Sequence, residues 1–125
     1  MKNLKIVGRI IFALPFIVFG LTHIMMGNKM GGMVPSFIPG GVFWVYLTGI
    51  GMIAASISIL INKVSKLGAL LLGILLLIFV FTIHLPGLFN PQMMQMALGG
   101  LLKDTAMAGA AIFLSGYFSE EKKLA

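Results

Sequence analysis

Residues 42–88 read VFWVYLTGIGMIAASISILI (42–61), NKVSK (62–66) and LGALLLGILLLIFVFTIHLPGL (67–88). The first run holds 20 residues and no charge, and about 20 residues of helix cross the hydrocarbon core of a bilayer. The last run matches it in length and apolarity. In lipid every backbone N–H and C=O must be satisfied within its own segment, so such runs are helices rather than open strands. The five residues between them, two of them lysines, are too few to recross a membrane. The pair therefore reads as an antiparallel helical hairpin.

Working outward, two more segments meet the same length criterion, about 5–27 before the hairpin and about 93–118 after it. Only 10% of the 125 residues are charged, against about 25% in soluble domains, and the mean hydropathy is +1.08. The expected fold class is all-α: residues 1–125 form one membrane-embedded domain, a bundle of four antiparallel transmembrane helices at about 5–27, 42–61, 67–88 and 93–118. Lys2, Lys5 and Arg9 ahead of an apolar run imitate a signal peptide. The run from Ile10 to Met26 is longer than the usual h-region of about 7–15 residues and no A-x-A site follows, so it reads as an uncleaved first span. There is no cysteine, which removes disulfides, thiolate metal sites and dithiol redox chemistry from this chain.

The net charge of +6 does not point to nucleic acid, because the basic residues flank apolar runs instead of forming a patch interleaved with aromatics. Lys2, Lys5, Arg9, Lys63, Lys66, Lys122 and Lys123 fall on one side and Lys29 alone on the other. The excess of Lys and Arg marks the cytoplasmic side, so both termini are expected there, with contacts to membrane lipid. The loop from Asn28 to Gly41, apolar and punctuated by Gly31-Gly32, Pro35, Pro39 and Gly40-Gly41, then lies outside. So does the connection marked by Pro86, Gly87, Asn90 and Pro91. Trp44 and Tyr46 suit the outer interfacial belt and Tyr117 the inner one. Close helix packing in lipid favours small residues: Gly51 and Ala55, Ala69 and Gly73, and the Gly/Ala set at 99, 100, 106 and 108–111.

Lys103 and Asp104 interrupt the fourth span, which is otherwise uncharged from Met93 to Phe118. A charge at the centre of a membrane helix costs roughly 2.5–3.5 kcal/mol on insertion scales. At 1.5 Å rise per residue, His23 lies roughly 7 Å beneath the outer boundary, His84 roughly 5 Å and the doublet roughly 8 Å. Four polar groups from three helices thus share one layer. Each also has a plain structural reading. A histidine can satisfy a carbonyl between helices, Lys103 can snorkel to headgroups, and Asp104 can neutralise a neighbour. Asp104 shares a small-residue face with Gly100, Ala108 and Ala111, and His23 aligns with Gly20 and Gly27. These faces turn Asp104 and His23 inward. Taken together, His23, His84, Lys103 and Asp104 form a candidate ligand-binding set. It suits the head of an amphipathic ligand such as a quinone, a proton relay, or a lipid headgroup. Imidazole and ammonium can donate to oxygens that gain charge on reduction.

Two other readings stand beside this one. Met25, Met26, Met30, Met33, Met93, Met94 and Met96 cluster at the predicted outer side, and thioethers with imidazole select Cu(I), although methionine is also an adaptable apolar filler. A small chain with Gly- and Ala-bearing helix faces also suits a homo-oligomer, or a non-enzymatic subunit of a larger membrane complex.

The order of motifs carries a family resemblance. Phe19-Gly20-Leu21-Thr22-His23 ends the first helix; Met33-Val34-Pro35-Ser36-Phe37-Ile38-Pro39 and Trp44-Val45-Tyr46-Leu47-Thr48-Gly49 follow. Ile83-His84-Leu85-Pro86 ends the third, and Leu102-Lys103-Asp104-Thr105-Ala106-Met107-Ala108-Gly109 lies in the fourth. Over nearly its whole length the chain resembles the DoxX-like family of small bacterial integral membrane proteins. The resemblance implies a four-helix bundle in the bacterial inner membrane and a link to redox or oxidative-stress systems. The related DoxD branch forms part of a thiosulfate:quinone oxidoreductase. Many relatives carry a glutamate three residues after the glycine of the Thr-Gly pair, where this chain has Met52. Chemistry that needs that acid is therefore not expected here.

Overall fold

The computed structural model describes residues 2–124, apart from the side chains of Met33 and of residues 120–124. The described residues contain helices and turns and no strands. We name the four long helices α1 (Lys2–Met25), α2 (Val42–Leu60), α3 (Ser65–Gly87) and α4 (Met94–Leu124). All four are long and apolar enough to cross a membrane, α4 over Met94–Ser119. This is the architecture of a multi-pass membrane protein. The bounds differ from expectation mainly at the chain ends. Helix α1 stops at Met25, because Gly27–Met30 forms a separate turn behind a non-helical Met26. Helix α4 runs past Phe118 through Glu120-Glu121-Lys122-Lys123, residue types that sustain helix outside the apolar stretch.

Neighbouring helices pack in chain order and antiparallel. Gly20 of α1 meets Gly49 of α2, Ser58 of α2 meets Gly68 of α3, and Gly73 of α3 meets Ala108 of α4. Both termini and the 61–64 turn thus share one end, here called proximal; the 26–41 and 88–93 loops share the distal end. The core combines Phe16, Met52, Ile59, Leu72, Leu76 and Phe118 with fully buried Ala13, Ala69 and Ala108. Large apolar side chains cover the outside of every helix, among them Ile11, Val18, Ile50, Leu71 and Phe113. That is the surface a hydrocarbon solvent tolerates and water does not.

At the α1–α2 crossing, a Cβ on Gly20 would stand 2.6 Å from the Gly49 carbonyl oxygen, and one on Gly49 2.9 Å from that of Gly20. Backbone rests directly on backbone, so only glycine fits both positions. Of the expected small pair on α2, Ala55 is buried against Gly68 of α3 and Gly51 is not. The buried stripe of α2 runs Val45, Gly49, Met52, Ser56 and Ile59, with Ala55 at its edge. Gly51 stands about 200° round the helix from Gly49 and faces open space.

Polar groups within the spans are mostly satisfied locally. Thr22, Thr48, Ser56, Thr82 and Thr105 each donate to a carbonyl three or four residues back in their own helix. Among the described residues, two side-chain hydrogen bonds join different spanning helices. Ser115 Oγ donates to the Lys66 carbonyl at 2.9 Å, and His84 meets Asp104.

Candidate functional site

Pro86 has no N–H to give the Thr82 carbonyl, and its ring crowds that turn. Helix α3 answers by widening into a π-helical turn over Val80–His84 before a last α-turn at Leu85–Gly87. Such turns are rare and often occur at functional sites. His84 closes this one and projects onto α4, where its ring lies against Gly100; a Cβ there would stand 2.5 Å from ring atoms Cε1 and Nδ1.

One turn further along α4, Asp104 Oδ2 lies 2.8 Å from His84 Nε2. Asp104 is only 5% exposed. An ionised carboxylate accepts and does not donate, so Nε2–H is the donor and Asp104 sets the tautomer and orientation of the ring. Nδ1 makes no hydrogen bond among the described residues and lies on the ring edge that faces Gly100. The small face expected for Asp104 is present: Ala108 and Ala111 are fully buried and Gly100 half-buried.

His23 belongs to the same space but not to the same bond. Its Nδ1–H donates to the Phe19 carbonyl at 2.7 Å, which leaves Nε2 free. Its ring stacks on Phe79 of α3, with 6.4 Å between centroids and 14° between planes. Lys103 parts company with Asp104, because adjacent helical residues point about 100° apart. It is exposed, and its Nζ lies 5.2 Å from the centre of the Phe19 ring on α1. Among the described residues, His84–Asp104 is the only contact between a basic side chain and a carboxylate within 4.0 Å.

All four residues line one cavity of about 910 Å³ in the distal half, within the usual range of about 300–1,000 Å³ for ligand pockets. Its walls are apolar apart from this set, Thr22, Thr48 and Thr82. Met52, 3% exposed, forms part of its inner wall, so a thioether and not an acid borders the cavity at that position. Leu47 and Gly51 of α2 and Leu71 and Ile78 of α3 line the cavity and are also exposed on the outside of the bundle. The cavity therefore opens sideways between α2 and α3, toward the lipid-facing surface. Met30, Val34, Pro35 and Ile38 of the distal loop line it too.

The aromatic residues expected at the interfaces also make contacts within the protein. Trp44 Nε1–H donates to the Pro39 carbonyl and ties the loop to α2, and the Tyr46 ring packs against Gly27. Tyr117, expected at the inner interface, has a buried hydroxyl with no partner. Met25, Met26, Met93, Met94 and Met96 are exposed, Met30 lines the cavity, and the Met33 side chain lies outside the described residues. Among the described residues no three His, Asp or Glu gather where they could hold a metal ion. Sequence reading missed Phe79 and the π-turn. Pro86 is the one sequence signal that could have exposed the last.

The fold and site together define a four-helix membrane bundle with a buried imidazole–carboxylate pair facing a laterally open cavity. A family model described as a domain of unknown function (DUF8561) matches residues 12–114, and the chain belongs to that family. Neither the curated proteins nor the solved structures contain a match to it.

Proposed function

We propose that this protein binds the head of a quinone, or of a lipid of similar shape, in the distal cavity, as a DoxX-like accessory protein of a redox system in the bacterial inner membrane. In this reading both termini are cytoplasmic, as the lysine and arginine distribution requires. The observation that carries the proposal is the cavity itself, an apolar space with one polar cluster and a side opening toward lipid. An amphipathic molecule can place its head at His84 and Asp104 and leave its tail between α2 and α3. The free nitrogens of His23 and His84 accept from a quinol hydroxyl when neutral and donate to a quinone carbonyl when protonated. Lys103 stands at the cavity edge as a further donor.

The test is to purify the chain in mild detergent, extract bound lipids and identify them, then delipidate and titrate with a quinone. Retained quinone that is lost in Asp104→Ala supports the reading. A folded, delipidated protein that never takes up quinone or returns lipid to the cavity refutes it.

A second reading has its own support. Gly99, Ala106, Gly109, Ala110 and Gly116 lie exposed along α4, a surface suited to another membrane helix. It favours a homo-oligomer or a subunit of a larger complex. A chain extracted as a monomer, with no partner under conditions that preserve complexes, counts against it.

A further inference from the structure

The proximal half of the bundle holds a second cavity, of about 590 Å³, along the seam between α1 and α4. Among the described residues its polar lining comes from Lys2, Lys5 and Arg9 on α1 and Tyr117 on α4, with no acid among them. Phe12, Phe113 and Leu114 supply apolar wall. Lys5 Nζ sits 5.3 Å from the centre of the Tyr117 ring. Two side-chain atoms of its lining residues, Arg9 Nε and Tyr117 Oη, are buried without a hydrogen-bond partner, and they are the only such side-chain atoms among the described residues. A buried donor without an acceptor costs the full desolvation of that group. A basic residue that served only to orient the chain would extend to the headgroup layer. The Arg9 Nε is instead turned into the seam.

We infer that this cavity is a specific site for the anionic headgroup of a phospholipid in the leaflet at the proximal end. Arg9 and the Tyr117 hydroxyl donate to the phosphate, Lys2 and Lys5 balance its charge, and the acyl chains run along Phe12 and Phe113 toward lipid. Arginine suits this role because its planar fork matches phosphate geometry. The site is separate from the distal cavity and does not depend on its ligand.

The test is native mass spectrometry of the full chain in detergent, titrated with phosphatidylglycerol or phosphatidylcholine of identical acyl chains. Preferential retention of phosphatidylglycerol is expected. Arg9→Gln should weaken it about tenfold or more, as loss of a charge-assisted hydrogen bond implies, and Tyr117→Phe about threefold. Lys63→Gln removes the same charge at the same end without lining the cavity, and should change little. Equal retention of the two lipids, or equal losses in Arg9→Gln and Lys63→Gln, overturns the proposal in favour of diffuse surface charge. Inorganic phosphate that protects the chain from thermal unfolding as well as the lipid does would make this a free-anion site and also overturn it. If Arg9→Gln fails to fold, Tyr117→Phe alone decides: unchanged phosphatidylglycerol affinity refutes the site.

Discussion

Gly100→Ala strikes the candidate site without altering either of its polar residues. The new methyl would stand 2.5 Å from Cε1 and Nδ1 of His84 and 3.1 Å from Nε2, while ordinary contact begins at 3.4 Å. The near edge of the ring must retreat by about 0.9 Å, and a shift of that size directed away from Asp104 would stretch the 2.8 Å bond to as much as about 3.7 Å, beyond hydrogen-bonding distance. Interhelical hydrogen bonds in membranes average about 0.6 kcal/mol and reach about 1.7, and an acceptor left buried adds a desolvation cost of about 1–3 kcal/mol in soluble proteins. The two effects sum to about 2–5 kcal/mol, offset by the roughly 1 kcal/mol that alanine gains over glycine within a helix, so the expected loss is about 1–4 kcal/mol. The neighbouring Gly99→Ala supplies the control, since a Cβ there meets nothing within 4 Å and alanine is the better helix former. Both variants would be unfolded reversibly in mixed micelles, with His84 followed by its imidazole nitrogen resonances. If Gly100→Ala proves as stable as Gly99→Ala, with the His84 resonances unmoved, the contact between α3 and α4 drawn here is wrong.

Two other outcomes follow from the same geometry. His84→Leu and Asp104→Leu should each destabilise the bundle by about 1–2 kcal/mol, whereas the double variant should recover to wild-type stability or better, because an apolar pair replaces a buried polar one without leaving an orphan; additive losses in the unfolding curves would deny that the two residues are partners. Val64 holds φ 49°, a left-handed conformation that costs an L-residue roughly 1–2 kcal/mol, and it is 62% exposed, so Val64→Gly should raise stability by about 1 kcal/mol, and an unchanged or lowered unfolding midpoint would show that the 61–64 turn is not strained.

The four spans were legible because hydrocarbon imposes a length and a composition that few soluble helices meet. The inward face of Asp104 was legible for a different reason: Gly100, Ala108 and Ala111 recur at helical spacing around it, and small residues in lipid mark close approach. Faces without such a marker were not. When protein lies on one side of a helix and lipid on the other, both surroundings are apolar, and the periodicity that orients a soluble helix fades. Gly51 was therefore read as a packing residue, although Gly49 is the glycine that meets α1. The direction of Lys103 stayed open for the same reason. Its resting place over Phe19 depends on how α4 is turned against α1, which local spacing does not determine.

Magnitudes argue that the His84–Asp104 pair exists for something other than stability. An aspartate at the centre of a membrane helix costs roughly 2.5–3.5 kcal/mol, whereas one interhelical hydrogen bond returns at most about 1.7. A leucine pair at the same positions would fill the gap between α3 and α4 at no such cost. The surrounding structure adds to the imbalance, for α3 departs into a π-turn just where it delivers His84, and α4 forgoes a side chain at residue 100 to receive the ring. Other polar side chains on these helices, such as Thr82 and Thr105, satisfy themselves within their own helix. The pair instead borders the distal cavity, and under the function proposed above that is the position in which an uncompensated polar cost becomes binding energy for a polar head arriving from the bilayer.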